Sequence, residues 1–202
     1  MIKKLTVTLV ASAAIMTSAF AGTTGKDAKS VIAPPAPPEC PEGISYSNFE
    51  LDYVHTWGRK DDQNANGVNA EISYALTNNL FIHATGLQAW GDDVDYWGSN
   101  VGLGAHIPLT SRIDFVVEAG GAFSGVNNGG SNNGWFVQPH LRAKFGCIEL
   151  RAGATCYDLG DGDNWEGFAG AYYEIAPHVD LALRGIFSRY AETVQVGVRY
   201  KF

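Results

Sequence analysis

Loop carboxylates, histidines and cysteines are the residues of this chain whose type and spacing could support chemistry. The run Asp158-Leu159-Gly160-Asp161-Gly162-Asp163-Asn164-Trp165-Glu166 clusters hard oxygen ligands of the kind calcium takes. Asp161, Asp163 and Glu166 form its candidate cation set, and Asp92, Asp93 and Asp95 form a second acidic group. The spacing departs from an EF-hand. Counted from Asp161, the fifth position is Trp165 and the sixth is Glu166, where an oxygen ligand and a glycine are required. An acidic solvated loop is therefore expected, with weak calcium binding as the alternative. The five histidines (His55, His83, His106, His140 and His178) are scattered. They form no metal-binding pair at helical spacing, and no Gly-x-Ser-x-Gly elbow occurs. Neither catalysis nor a cofactor is expected.

These residues must be held by elements that the hydrophobic pattern identifies. Phe49-Glu50-Leu51-Asp52-Tyr53-Val54 alternates apolar and charged residues until Val54. Val68 to Leu76, Ile113 to Ala119, Val137 to Phe145, Ile148 to Ala154 and Val194 to Phe202 do the same. Period-two alternation over such lengths marks strands with two unlike faces. Ten candidate strands follow, at 47–57, 66–76, 80–90, 97–107, 112–124, 135–145, 148–158, 166–175, 180–189 and 193–202. Gly86 is a candidate bulge in the third. Short and long connectors alternate, except that the ninth, Tyr190 to Glu192, is short where a long one is due.

Two segments precede the strands. Lys3 and Lys4, the apolar stretch Leu5 to Ile15 and the small residues flanking Phe20 read as a cleaved export signal over 1–21. Residues 22–43 hold the run Ala33-Pro34-Pro35-Ala36-Pro37-Pro38-Glu39-Cys40-Pro41, which favours an extended spacer over a central strand. The folded domain is then 44–202.

Composition narrows the class. Charged residues are 17% of the chain, aromatics 12%, and Gly is 24 of 202. The net charge is −7, and loss of the leader with Lys3 and Lys4 makes it −9. An acidic chain lacks the basic footprint of a nucleic-acid binder. No apolar run of about 20 residues follows the leader, which excludes a bundle of membrane helices.

Alternation alone does not distinguish a soluble sandwich from a transmembrane barrel, because each has one apolar face. Strands of ~9–11 residues suit a tilted membrane strand better than the ~5–6 usual in soluble sheets. Trp57, Trp90, Trp97, Trp135 and Trp165 lie at strand ends beside the long connectors, with outward parity. Indole favours the membrane–water interface, so they read as an aromatic girdle. Phe49, Phe115, Phe145, Tyr200 and Phe202 mark the opposite rim.

The leader, the amphipathic strands and the terminal Val198-Arg199-Tyr200-Lys201-Phe202 together resemble the small outer-membrane β-barrel family of Gram-negative envelopes. The resemblance covers 44–202 and implies an up-and-down antiparallel transmembrane β-barrel of about ten strands, or eight as in many members. It implies an outer-membrane location with lipid as the surrounding partner. Tyr200 and Phe202 would then serve as the C-terminal signal read by the barrel-assembly machinery. Some barrels of that broad family are enzymes, but His83-Ala84-Thr85 is a poor match to their His-x-Ser pattern. A monomer is expected.

Inside such a barrel the inward acids would be Glu50, Asp52, Glu71, Asp114, Glu118, Glu149 and Glu174. The inward bases would be Arg142, Lys144, Arg151, Arg184, Arg199 and Lys201. Buried charges are costly unless paired. Expected pairs are Asp114 with Lys144, Glu118 with His140 or Arg142, and, at closure, Glu50 with Lys201 and Asp52 with Arg199. A lumen filled by side chains in a structural or surface-interaction barrel is the leading expectation. A narrow passive channel and an exported soluble β-sandwich binding protein are the alternatives.

Of the three cysteines, Cys147 falls in a short turn and Cys156 nine positions further along the same strand. At ~3.3 Å per residue that is about 30 Å, too far for a bond between them. The expected disulfide is Cys40–Cys147, tying the Pro-rich segment beneath the barrel.

Overall fold

The computed structural model describes Cys40, 43–59, 64–91, 95–127, 129–160 and 163–202, with only the backbone of Asp163. The expected leader and nearly all of the Pro-rich segment lie outside the described residues. Ten strands follow: β1 (Asn48–Gly58), β2 (Asn64–Ala75), β3 (Leu80–Gly91), β4 (Tyr96–Pro108) and β5 (Ile113–Val126). The rest are β6 (Ser131–Phe145), β7 (Ile148–Asp158), β8 (Asp163–Ala176), β9 (Val179–Ser188) and β10 (Ala191–Lys201). Each pairs antiparallel with its sequence neighbours, and β1 pairs with β10, closing an up-and-down barrel of ten strands. Closure leaves no sheet edge. The count is ten rather than eight, and the closed ring excludes the sandwich.

Alternation becomes inside and outside. On β1, Asn48, Glu50, Asp52 and Val54 are buried while Phe49, Leu51 and Tyr53 are exposed. The outer wall is a continuous apolar surface carrying Val68, Ile72, Ile82, Val101, Leu103, Leu141, Leu150, Leu181, Leu183, Val196 and Val198. A soluble protein rarely exposes so large an apolar patch. Trp57, Trp90, Trp135 and Trp165 are exposed at the rim of the longer connectors. Trp97 shares that rim and is half-buried, because its indole lies over Gly125, where any Cβ would collide with it. Tyr200 and Phe202 are exposed at the other rim, where Phe202 stacks on Tyr74 at 6.4 Å.

Three details differ from the sequence expectation. Gly86 is no bulge: pairing on both sides of it is continuous, and the irregularity falls at Glu174/Ala176 between β8 and β9. At closure, Glu50 lies opposite Arg199 and Asn48 opposite Lys201, two residues from the expected register. Between β5 and β6, Asp114 lies opposite Arg142 and Glu118 opposite Gln138, again a two-residue offset. A shift of two keeps every side chain on its face, so alternation cannot detect it.

Candidate functional site: the charged lumen

The lumen at the short-turn end is filled by a single network of ion pairs. Its hub is Glu149, at the start of β7. Arg142 Nε and Arg151 Nε each donate to Glu149 Oε1 at 2.9 Å, and Arg199 Nη2 donates to Oε2 at 2.8 Å. Arg199 continues to Asp180, with Nε to Oδ2 at 2.8 Å. Lys201 Nζ reaches Asp180 at 2.9 Å and Glu174 at 2.6 Å, and Lys144 lies 3.8 Å from Glu174. A second branch runs upward. Arg184 Nη2 donates to Glu50 Oε1 and Glu71 Oε2, both at 3.0 Å, and Arg151 reaches Glu71 at 3.5 Å. His83 then stands 3.2 Å from Glu118, with His140 4.0 Å from the same carboxylate.

Tyr172 is the aromatic centre of this network. The Arg199 and Arg151 guanidinium carbons lie 4.0 and 4.5 Å from its ring centroid, and its hydroxyl accepts from Arg184 at 2.8 Å. Two cations against one ring use its negative face, an attraction that strengthens away from water.

Tyr46, just before β1, closes the floor. Its ring stacks on His106 at 3.9 Å and meets Phe81 at 5.0 Å, with the Arg142 guanidinium 4.4 Å away. Its hydroxyl donates to Asp114 Oδ2 at 2.7 Å. Burial pushes that hydroxyl well above the ordinary tyrosine range, so it stays a donor. Phe81 in turn lies over Gly104, whose missing side chain leaves the ring its place. Outside the floor, a disulfide joins Cys40 to Cys147 in the β6–β7 turn, with 5.1 Å between Cα atoms. Cys156 is buried at the other end of β7, opposite Val137 and Trp165.

All nine residues named for the expected charge pairs lie buried in the lumen, but most pairings differ. Lys144 and Lys201 share Glu174, where Asp114 and Glu50 had been expected as their partners. Arg199 takes Glu149 and Asp180, whereas Asp52 accepts from Asn69 Nδ2 at 3.2 Å. Asp114 binds Tyr46 and lies 3.4 Å from His106. Residues opposite in the observed register do not pair either: Glu50 takes Arg184 rather than Arg199, and Asp114 takes Tyr46 rather than Arg142. Glu118 meets His140, one of its two expected partners, only at 4.0 Å.

Sequence reasoning missed Asp180, Tyr172 and Tyr46. Asp180 shares the phase of Ala182 and Arg184 against exposed Leu181 and Leu183, so its inward parity was readable. Tyr172 beside Tyr173 is ambiguous alone, and the outward series Ala169, Ala171, Tyr173, Ile175 would have decided it. Tyr46 lies outside any strand pattern and carried no such signal.

Above the network, the lumen opens into two adjoining cavities of about 260 and 640 Å³. The upper one is lined at the long-connector rim by Gly58, Gly91, Val126 and Tyr190. Glu166, expected in the acidic loop, lines both cavities from the inner wall of β8. Asp161, Asp92, Asp93 and the side chain of Asp163 lie outside the described residues. Among the described residues, no group of three His, Cys, Asp or Glu is arranged to hold a metal ion.

No family model matches the chain, and no curated protein matches it. Solved structures do. The chain is similar to the KdgM porin at 11% identity over 76% of this chain and 99% of that one, with a TM-score of 0.45. It is similar to Ail, the attachment invasion locus protein of Yersinia pestis, at 13% identity over 79% and 100%, with a TM-score of 0.41. It is also similar to the outer membrane protein OprG of Pseudomonas aeruginosa, at 8% identity over 79% and 98%, with a TM-score of 0.43. The closed ten-stranded antiparallel barrel is the fold expected of the small barrel family named from the sequence.

Proposed function

We propose that this protein is a non-enzymatic, monomeric outer-membrane barrel with a closed floor and a structural or surface-interaction role. The observation that carries this reading is the continuous network from Lys144 through Glu174, Lys201, Asp180, Arg199, Glu149 and Arg151 to Glu71 and Arg184. It occupies the short-turn end of the lumen with side chains that pair with one another, and Tyr46 stands below it. Ions crossing this floor would have to break several buried pairs, each costly to separate. The apolar outer wall with aromatics at both rims suits a lipid bilayer between them. In this reading residues 1–21 are removed on export, the termini face the periplasm, and Tyr200 and Phe202 present the last strand to the assembly machinery.

Membrane fractionation with heat-modifiable gel migration tests the location, and planar-bilayer recording tests the floor. The expected result is an outer-membrane protein whose folded form migrates faster and passes no steady current. Sustained single-channel conductance by the native protein would replace this reading with the narrow channel.

A further inference from the structure

The strands segregate their charges. Every Arg and Lys within them lies on β6 to β10, and β1 to β5 carry none. These bases reach across to Glu50 on β1 and Glu71 on β2. Among the described residues, no ion pair joins them to an acid of β3, β4 or β5. Asp114 and Glu118, the acids of that arc, have only His106, His83 and His140 as ionic neighbours.

On this arc the floor is also built differently. His83, Glu118 and His140 line the lower cavity. Two residues nearer the short turns on the same strands stand Phe81, Val116 and Arg142, all buried. Phe81 and Val116 form one apolar cluster with Tyr46, joined by Ile44 and Ala75. Gly104, on β4 between them, adds no side chain. The next inward positions, His106 and Asp114, are already near the strand ends. The barrier between the cavity and the short-turn side is therefore one apolar layer thick here.

The central ring of that layer comes from outside the strands. Tyr46 touches five consecutive strands, β2 to β6: Ser73 donates to its carbonyl at 3.0 Å, its ring meets Phe81, His106 and Arg142, and its hydroxyl reaches Asp114. The carbonyls of Ser45 and Tyr46 accept from the side chains of Arg142 and Ser73 rather than from a strand ladder. Residues 43–46 can thus leave the floor while every strand pair stays intact.

We infer that residues 43–46 are a plug, with Tyr46 blocking a narrow passage for small cations along β3, β4 and β5. A hydrated ion is stopped by the apolar layer, because a hydrophobic constriction sheds water. Once the ring is gone, an ion on this route meets acids and histidines and breaks no Arg or Lys pair. Such a plug rests on the reading of a membrane barrel with a closed floor.

Planar-bilayer recording of the full chain in potassium chloride is the test. The native protein should pass no steady current. Tyr46→Ala should pass one, with potassium favoured over chloride under a salt gradient, and adding Asp114→Asn should lower that preference severalfold. Phe168→Ala, which removes a ring lining the same cavity from β8, should stay silent. Should Tyr46→Ala give no folded band on gels, Phe81→Ala thins the same layer from β3 and should conduct in its place. A folded Tyr46→Ala as silent as the native chain overturns the plug and leaves the closed floor standing. Equal current through Phe168→Ala, or a current that favours chloride, also overturns the inference. A native protein that conducts as well as Tyr46→Ala overturns both the plug and the closed floor.

Discussion

Arg184 on β9 donates to Glu50 on β1 at 3.0 Å, and between their strands stands β10, the strand that closes the barrel. The pair therefore braces the seam from inside, across a strand rather than along a ladder. Glu50 is wholly buried, so its charge has no recourse to water.

This relationship separates two neighbouring acids that look alike in sequence. Glu50→Lys would place a second cation beside Arg184 and should prevent assembly, read as loss of the fast-migrating folded band. Glu50→Gln leaves Arg184 with Glu71, so its cost should not exceed the ~3–5 kcal/mol seen when a buried pair loses one partner. Asp52 has an amide rather than a cation as partner, and Asp52→Asn should change stability by less than ~1.5 kcal/mol, the usual net value of one hydrogen bond. Denaturant unfolding followed by tryptophan fluorescence measures both. Equal losses for Glu50→Gln and Asp52→Asn would contradict the brace.

Glu149 should be the most sensitive acid in the lumen. Its carboxylate collects three guanidinium groups, and Glu149→Gln would leave Arg142, Arg151 and Arg199 repelling one another. Glu174, which serves two lysines near the short-turn rim, should tolerate the same change better. The ordering of the two unfolding midpoints is the check, with Glu149→Gln expected lower.

Gly104 is expected to resist even a methyl group. A Cβ there would overlap the ring of Phe81, which packs with Tyr46 and Val116. Gly104→Ala should destabilise by ~1–3 kcal/mol, the usual cost of overpacking. Pairing it with Phe81→Leu should recover part of that loss. Additive losses in the double variant would exclude the proposed contact.

The Cys40–Cys147 bond closes a loop across 107 positions and stands outside the charge network. Chain-entropy arguments assign a loop of ~100 residues about 4.7 kcal/mol, gained by restricting the unfolded chain. Reduction, Cys40→Ser and Cys147→Ser should therefore lower the unfolding midpoint by similar amounts, and reductant should have no further effect on either variant. A midpoint insensitive to reductant would count against the bond.

The barrel was legible in the sequence because its rule is local. Each of Phe49, Leu51 and Tyr53 against Glu50 and Asp52 states its own face, and six such stretches anchor the count of ten strands. Rim identity was legible for a similar reason: the tryptophans sit beside the Gly- and Asn-rich connectors whatever the register. The lumen occupants were legible as a set, since parity alone puts Arg142, Lys144, Arg199 and Lys201 inside.

Which carboxylate each base meets was not legible. Sliding a strand by two residues preserves every face, and no turn joins β1 to β10 to fix their offset. Tyr46 and Tyr172 were hidden differently, because their partners come from strands distant along the chain, with Asp114 68 positions from Tyr46. The sequence by itself determined about ten strands with one apolar and one charged face and pointed to a barrel, with eight strands and a soluble sandwich as the alternatives. Only the tertiary structure decided that the charges converge on Glu149, that Tyr46 closes the floor, and that Glu166 leaves its acidic loop for the lumen. Alternation encodes direction one residue at a time, whereas pairing across a lumen depends on the stagger accumulated around the whole ring.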